Sequence, residues 1–171
     1  LPVIIYNVPS RTGVNMLAKT SLSIARKHPN VIGIKEASGD LDQIAQLISG
    51  KEEGFLVISG DDATAYQTTL AGGSGVISVI GQALPEIFTK VIKSAMLGHE
   101  ASTRQLNKDL QPLITAIFLE GNPAGIKALL SLVDSYPIQV RLPLVPATMG
   151  LQDLLKQQLR DFKETLKSLQ D

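Results

Sequence analysis

Lys35 closes the apolar run Val31-Ile32-Gly33-Ile34, and a lysine at the end of so apolar a strand admits two readings. Held away from water, its charged form is disfavoured, its pKa falls and the free amine becomes available. Such an amine attacks a ketone or aldehyde and forms a Schiff base. Left near water, the same lysine snorkels or pairs with an acid. On spacing alone that plainer reading is the commoner one. Strand alternation puts Val31, Gly33 and Lys35 on one face and Ile32, Ile34 and Glu36 on the other. The pattern therefore predicts Ile32 and Ile34 beneath a layer of helices, and open room at Gly33 beside the amine.

Other residues carry chemistry less sharply. Tyr6 ends the run Val3-Ile4-Ile5, where its phenol can relay a proton or sit in the core with a satisfied hydroxyl. Arg11 falls on the loop after that run, between Pro9-Ser10 and Thr12-Gly13. There it can grip a carboxylate by two parallel hydrogen bonds or remain solvated. Gly60-Asp61-Asp62 offers two carboxylates but no third metal ligand nearby, and such pairs commonly begin helices. Gly72-Gly73-Ser74-Gly75 is glycine-rich in the wrong order for a phosphate loop, since it closes a helix and opens a strand. It reads as a tight turn with glycines at positive φ. His28 and His99 both lie at expected helix ends, and neither has a catalytic partner in view.

These residues need elements to position them. Apolar runs at Val3–Tyr6, Val31–Lys35, Phe55–Ser59 and Gly75–Ile80 read as four strands. Helical stretches at about 16–27 and 41–49, one through Leu70 and one from about Pro85 separate or follow them. Continuous apolar strands alternating with helices imply a parallel sheet covered on both sides. Beyond about Gly98 strand signals fade, apart from the extended stretch 140–144. A helix is predicted over 100–118 with a new turn or kink at Pro112. Another is predicted from Asn122-Pro123, with Asn capping, and a last one over 151–168. That last helix places Leu151, Leu154, Leu155, Leu159, Phe162 and Leu166 on one face.

Four βα units fit either an open doubly wound sheet or half of an eightfold barrel. The chemistry-bearing strand ends favour the barrel, because barrel sites gather at the C-terminal rim. The expected fold is thus α/β, with residues 1–98 as half of a (β/α)8 barrel and 99–171 as a helical region. A full barrel is longer than 171 residues, so further sequence is expected before Leu1.

Composition narrows the function. Sixteen basic residues balance sixteen acidic ones, which gives no basic excess to attract nucleic acid or an anionic membrane. Cysteine is absent, which excludes disulfides, thiolate metal sites and a cysteine nucleophile. Aromatics make up 4% with no Trp, too few for a base-stacking surface. No apolar run reaches the roughly 18 residues of a membrane span, and no leader pattern opens the chain. A cytoplasmic protein is expected.

The motifs taken together resemble the dihydrodipicolinate synthase family of class I pyruvate aldolases. The resemblance rests on Tyr6-Asn7-Val8-Pro9-Ser10-Arg11-Thr12-Gly13, Gly33-Ile34-Lys35-Glu36-Ala37-Ser38-Gly39, Gly60-Asp61-Asp62 and Gly72-Gly73-Ser74-Gly75-Val76-Ile77-Ser78. It continues through Glu120-Gly121-Asn122-Pro123-Ala124-Gly125-Ile126-Lys127 and Arg141-Leu142-Pro143-Leu144, in the family's order. It implies that the chain is the second half of the barrel, strands five to eight, with a C-terminal helical extension. It also implies that Lys35 forms the imine with pyruvate, that Tyr6 shuttles protons, and that Arg11 holds the carboxylate of aspartate β-semialdehyde. The backbone at Gly60 and Ile77 would line the site.

The activity so implied condenses the two substrates to 4-hydroxy-tetrahydrodipicolinate, for diaminopimelate and lysine synthesis. It needs no cofactor, and the implied assembly is a homotetramer built as a dimer of dimers. A threonine from an earlier strand, a tyrosine from a neighbouring subunit and the lysine feedback site would lie outside these residues. Half a barrel alone is not expected to turn over. Two alternatives stay open. One is a sister enzyme such as N-acetylneuraminate lyase or a 2-keto-3-deoxy sugar acid aldolase, for which Arg11 is the discriminator. The other is a non-catalytic fragment or paralogue with an inert lysine.

Overall fold

The computed structural model describes residues 1–168 and, outside 100–102 and 168, their side chains. The chain forms two compact units, one of Leu1–Ser78 with Lys90–Thr103, the other of Val79–Thr89 with the residues from Arg104 onward.

In the first unit the strands are β1 (Val3–Asn7), β2 (Val31–Glu36), β3 (Leu56–Ser59) and β4 (Gly75–Val76). They pair in parallel in the order β1-β2-β3-β4. The connecting helices are α1 (Pro9–Thr12), α2 (Ala18–Lys27), α3 (Leu41–Gly50) and α4 (Asp62–Leu70). Consecutive parallel neighbours joined through helices are the arrangement of half a (β/α)8 barrel.

Local chemistry sets the helix starts. Asp40 caps α3, its side chain accepting from the backbone N–H groups of Asp42 and Gln43. Asp61 caps α4 by accepting from Thr64 N–H. One carboxylate of the Asp61-Asp62 pair is therefore spent on a helix start. Among the described residues no cluster of three or more His, Asp or Glu could hold a metal. The turn before β4 has Gly72 at φ 103° and Gly75 at φ 132°, where only glycine is comfortable.

One face of the sheet carries the core. Ile34 and Val57 are fully buried there with Leu47 of α3, and Ala18 of α2 and Phe55 join them. Burying each large aliphatic side chain contributes about 1.5–3 kcal/mol, so this layer is what holds β2 against α2 and α3. The other face, with Ile4, Tyr6, Gly33, Lys35, Leu56 and Ile58 in register, leaves Ile4, Tyr6 and Leu56 exposed.

Several expectations need correction. The alternation of β2 breaks at Ile32, because Val3 pairs with Val31 but Ile4 pairs with Gly33. This irregularity turns Val31 onto the helix-covered core, while Ile32 is left exposed. Gly33 does not leave open room: a Cβ there would lie 2.8 Å from both Cβ and the carbonyl oxygen of Leu56. The glycine admits the neighbouring strand. The fourth strand stops at Val76, and Ile80–Gln82 forms a 3₁₀ turn that buries Ile80 completely. The apolar run 75–80 fits both states, since periodicity cannot separate a short strand from a buried turn.

The second unit contains that turn, the start of α5 (Pro85–Met96), most of α6 (Glu100–Ala116), and the helices α7 (Ala124–Asp134) and α8 (Met149–Ser168). α6 continues through Pro112 as one helix. Asn122 does not cap α7: the Asn122–Pro123 bond is cis and Pro123 takes the N-cap position without a side-chain bond. The stretch 140–144 forms no strand. α8 buries Leu151, Leu155, Leu159 and Phe162 as expected, but Leu154 is exposed. A fourfold repeat of buried positions from 151 to 159 leaves residue 154 on the flank of the stripe. No helix among the described residues is long and apolar enough to cross a membrane.

Candidate active site

Parallel strands deliver their C-terminal ends to one rim. Tyr6 and Lys35 are each the penultimate residue of a strand and are register partners across β1 and β2. Lys35 Nζ lies 4.1 Å from the centroid of the Tyr6 ring, a cation–π distance. Gly60 follows β3 directly and faces the lysine stem. A Cβ on Gly60 would stand 2.9 Å from Lys35 Cε and 3.0 Å from its Cγ. Gly60 is itself held by donating its N–H to the Glu36 carbonyl at 2.7 Å. Ile77 follows β4 and donates its N–H to the Ser59 carbonyl at 2.9 Å, with its side chain exposed. The structure thus puts Tyr6, Lys35 and Gly60 in contact around one amine, with Ile77 at the adjacent strand end.

Arg11 is not on a loop. It occupies the one-turn helix α1, which Pro9 opens and Gly13 closes at φ 71°, the proline-first, glycine-last order that favours even a short helix. The side chain is exposed and makes no hydrogen bond or ion pair among the described residues. Its guanidinium donors are uncommitted, which is what an arginine needs to receive a carboxylate.

These residues leave the amine only partly shielded from water. Lys35 is half-buried, and Tyr6 is 49% exposed. The lysine stem is sheltered by Gly60 and its ammonium by the aromatic ring, not by a surrounding pocket.

A further group, which the motifs do not single out, lies behind the site. Asn7 and Glu36 are register partners one residue beyond Tyr6 and Lys35, and they face the helix-covered side. Glu36 is fully buried, and Asn7 and Gln43 are nearly so. Asn7 Nδ2 donates to both Glu36 oxygens, at 3.0 and 2.9 Å, and Gln43 Nε2 donates to Glu36 at 3.0 Å. Asn15 bridges the two amides. The available signal was a carboxylate on the covered face of an apolar strand, which has to be hydrogen-bonded to be tolerated.

The Dihydrodipicolinate synthetase family model matches residues 1–162. A 4-hydroxy-tetrahydrodipicolinate synthase of Azobacteroides pseudotrichonymphae is 44% identical over 163 residues, covering 95% of this chain and 55% of the relative. The crystal structure of dihydrodipicolinate synthase from Thermotoga maritima superposes with a TM-score of 0.91 at 38% identity, covering 95% of this chain and 56% of that one. The chloride-inhibited dihydrodipicolinate synthase of Acinetobacter baumannii, complexed with pyruvate, superposes with a TM-score of 0.90 at 35% identity over 95% and 56% of the two chains. The chain therefore spans about half the length of the relatives it matches. With the four-stranded parallel half-barrel, the ordered motifs and a family match across nearly all its residues, this chain belongs to the dihydrodipicolinate synthase family.

Proposed function

We propose that the whole protein is a 4-hydroxy-tetrahydrodipicolinate synthase, condensing pyruvate with aspartate β-semialdehyde for diaminopimelate and lysine synthesis. The observation that carries this reading is the amine of Lys35 seated over the Tyr6 ring at the strand-end rim, with Gly60 against its stem. The pyruvate complex of the Acinetobacter relative supports the choice of keto acid.

In the proposed cycle the unprotonated Lys35 amine adds to the pyruvate carbonyl, and loss of water gives a protonated imine. The imine withdraws electrons, so the methyl group gives up a proton and becomes the enamine carbon. That carbon attacks the aldehyde of the semialdehyde, and the aldehyde oxygen takes up a proton. The amino group of the second substrate then attacks the imine carbon, closing the ring and expelling the lysine amine. The Tyr6 hydroxyl carries protons between these steps. Arg11 receives the semialdehyde carboxylate, and the backbone at Gly60 and Ile77 borders the keto acid. Residues 1–98 serve as the catalytic barrel half and residues 99 onward as the helical region. In keeping with the resemblance, the protein is assigned to the cytoplasm as a homotetramer.

Supplying the whole protein with pyruvate and each candidate aldehyde tests the assignment. Pyruvate consumption that requires aspartate β-semialdehyde, with no cleavage of N-acetylneuraminate or a 2-keto-3-deoxy sugar acid, is expected. Preference for a sugar substrate would move the protein to a sister activity, and no turnover with any of them would support the non-catalytic alternative.

A further inference from the structure

The proposed cycle gives Glu36 no role, yet its carboxylate is fully buried immediately after Lys35 in the chain. One oxygen accepts from the Ser38 backbone N–H at 2.7 Å and from Asn7 Nδ2 at 3.0 Å. The other accepts from Asn7 Nδ2 at 2.9 Å and Gln43 Nε2 at 3.0 Å. No ion pair reaches it among the described residues. Every partner is a neutral donor, so the position calls for a group that only accepts, which among side chains of this length is a carboxylate. The amides cannot simply turn round to suit another group. Asn7 Oδ1 already accepts from Met16 N–H at 3.0 Å, and Gln43 Oε1 accepts from Asn15 Nδ2 at 3.0 Å.

The location gives this group its meaning. Asn7 and Glu36 are paired one step beyond Tyr6 and Lys35, so the two pairs occupy opposite faces of the same strand ends. The β1–β2 ladder has already slipped once, between Val3 and Ile4. Backbone pairing at the start of the strands therefore does not fix the offset at their ends. The buried network does, because it ties β1 through Asn7, β2 through Glu36 itself, the loop after β2 through the Ser38 N–H, and α3 through Gln43 to a single carboxylate.

We infer that Glu36 is a positioning residue: its carboxylate, clamped by Asn7, Gln43 and the Ser38 N–H, sets the Tyr6 phenol against the Lys35 amine from the far side of the sheet. The inference rests on the imine chemistry proposed above. Proton transfer through a phenol tolerates little misplacement, whereas the extent of imine trapped at saturating pyruvate depends chiefly on the lysine amine.

The test uses the whole protein with Glu36→Gln, whose amide would set N–H groups against N–H groups. Turnover is expected to fall about tenfold to a hundredfold, with KM for pyruvate moving less than about threefold. Borohydride trapping of Lys35 at saturating pyruvate stays at the parent level. The pair Asn7→Asp with Glu36→Gln restores a donor facing an acceptor between positions 7 and 36, though not at Gln43, and regains part of the lost kcat. If Glu36→Gln does not fold, Asn15→Ala decides, since Asn15 is exposed yet bridges both amides. A kcat loss of about threefold or more without a change in melting temperature supports positioning. Parent-level kcat in Glu36→Gln, or in Asn15→Ala where that variant has to decide, overturns the positioning role alone, provided the parent is trapped. A parent that cannot be trapped overturns the proposed function instead.

Discussion

Lys35 Nζ sits 4.1 Å from the centre of the Tyr6 ring, and the two residues are paired across neighbouring parallel strands. The ring and the hydroxyl of that tyrosine have separable duties. The ring face shelters and attracts the ammonium, whereas the hydroxyl is the proton carrier of the proposed cycle. Tyr6→Phe keeps the first and removes the second. It is expected to retain the pyruvate–Lys35 adduct while kcat drops about a hundredfold to a thousandfold. Steady-state kinetics alongside trapping separate the two effects, and an unchanged kcat would remove Tyr6 from the proton path.

Two glycines of the same sheet should answer differently to one added methyl group. In Gly60→Ala the new Cβ meets Ala37 Cβ at 2.8 Å and, beside it, Lys35 Cε at 2.9 Å. The lysine must move, and imine formation is expected to slow about a hundredfold. In Gly33→Ala the new Cβ meets Leu56 Cβ and backbone oxygen at 2.8 Å. Strand spacing suffers there, and the expected loss is about 1–3 kcal/mol of stability. Thermal melts and the rate of borohydride-trapped adduct formation read the two. The reverse pattern would contradict the placement of Lys35 against Gly60.

Arg11 is exposed on α1 with uncommitted donors. Arg11→Ala is expected to raise KM for aspartate β-semialdehyde about tenfold to a hundredfold, the scale of one lost charged hydrogen-bonded pair. KM for pyruvate should stay nearly constant. Equal effects on both substrates would deny it the second-substrate carboxylate.

The second unit carries a pH-sensitive helix start. Glu120 accepts from the Thr148 hydroxyl and from the Thr148 N–H at 2.8 Å, and these bonds, the hydroxyl's first, hold its pKa below the usual 4.5. Thr148 Oγ1 in turn accepts from Leu151 N–H in the first turn of α8. A lowered folded pKa means that this contribution is complete above pH 4.5 and fades as pH falls through the lower folded value. Hydrogen exchange at the first turn of α8, corrected for intrinsic rates, should lose protection below that range. Glu120→Gln should abolish the pH dependence, and an unchanged acid profile in that variant would contradict the assignment.

Much of this was legible in the residues, for identifiable reasons. Ile34 and Val57 sit in runs apolar enough to be strands whatever surrounds them, and the Asp61-Asp62 pair announces its helix by side-chain chemistry. Lys35 and Tyr6 stood out because an ionisable or phenolic group ends an apolar run. What escaped depends on neighbours. Gly33 looked like empty space because Leu56, which fills it, is 23 residues away in sequence. Val31 changed faces because of a slip in pairing that only the partner strand reveals. Glu36 looked like one more residue of alternating polarity, and its significance depends on amides from positions 7 and 43.

The central claim is that Lys35 captures pyruvate. The whole protein should be incubated with pyruvate, reduced with borohydride, digested and mapped by mass. The account predicts the reduced pyruvate adduct on the peptide containing Lys35, and its disappearance in Lys35→Ala. An unmodified Lys35, or an adduct on a different lysine, would contradict it.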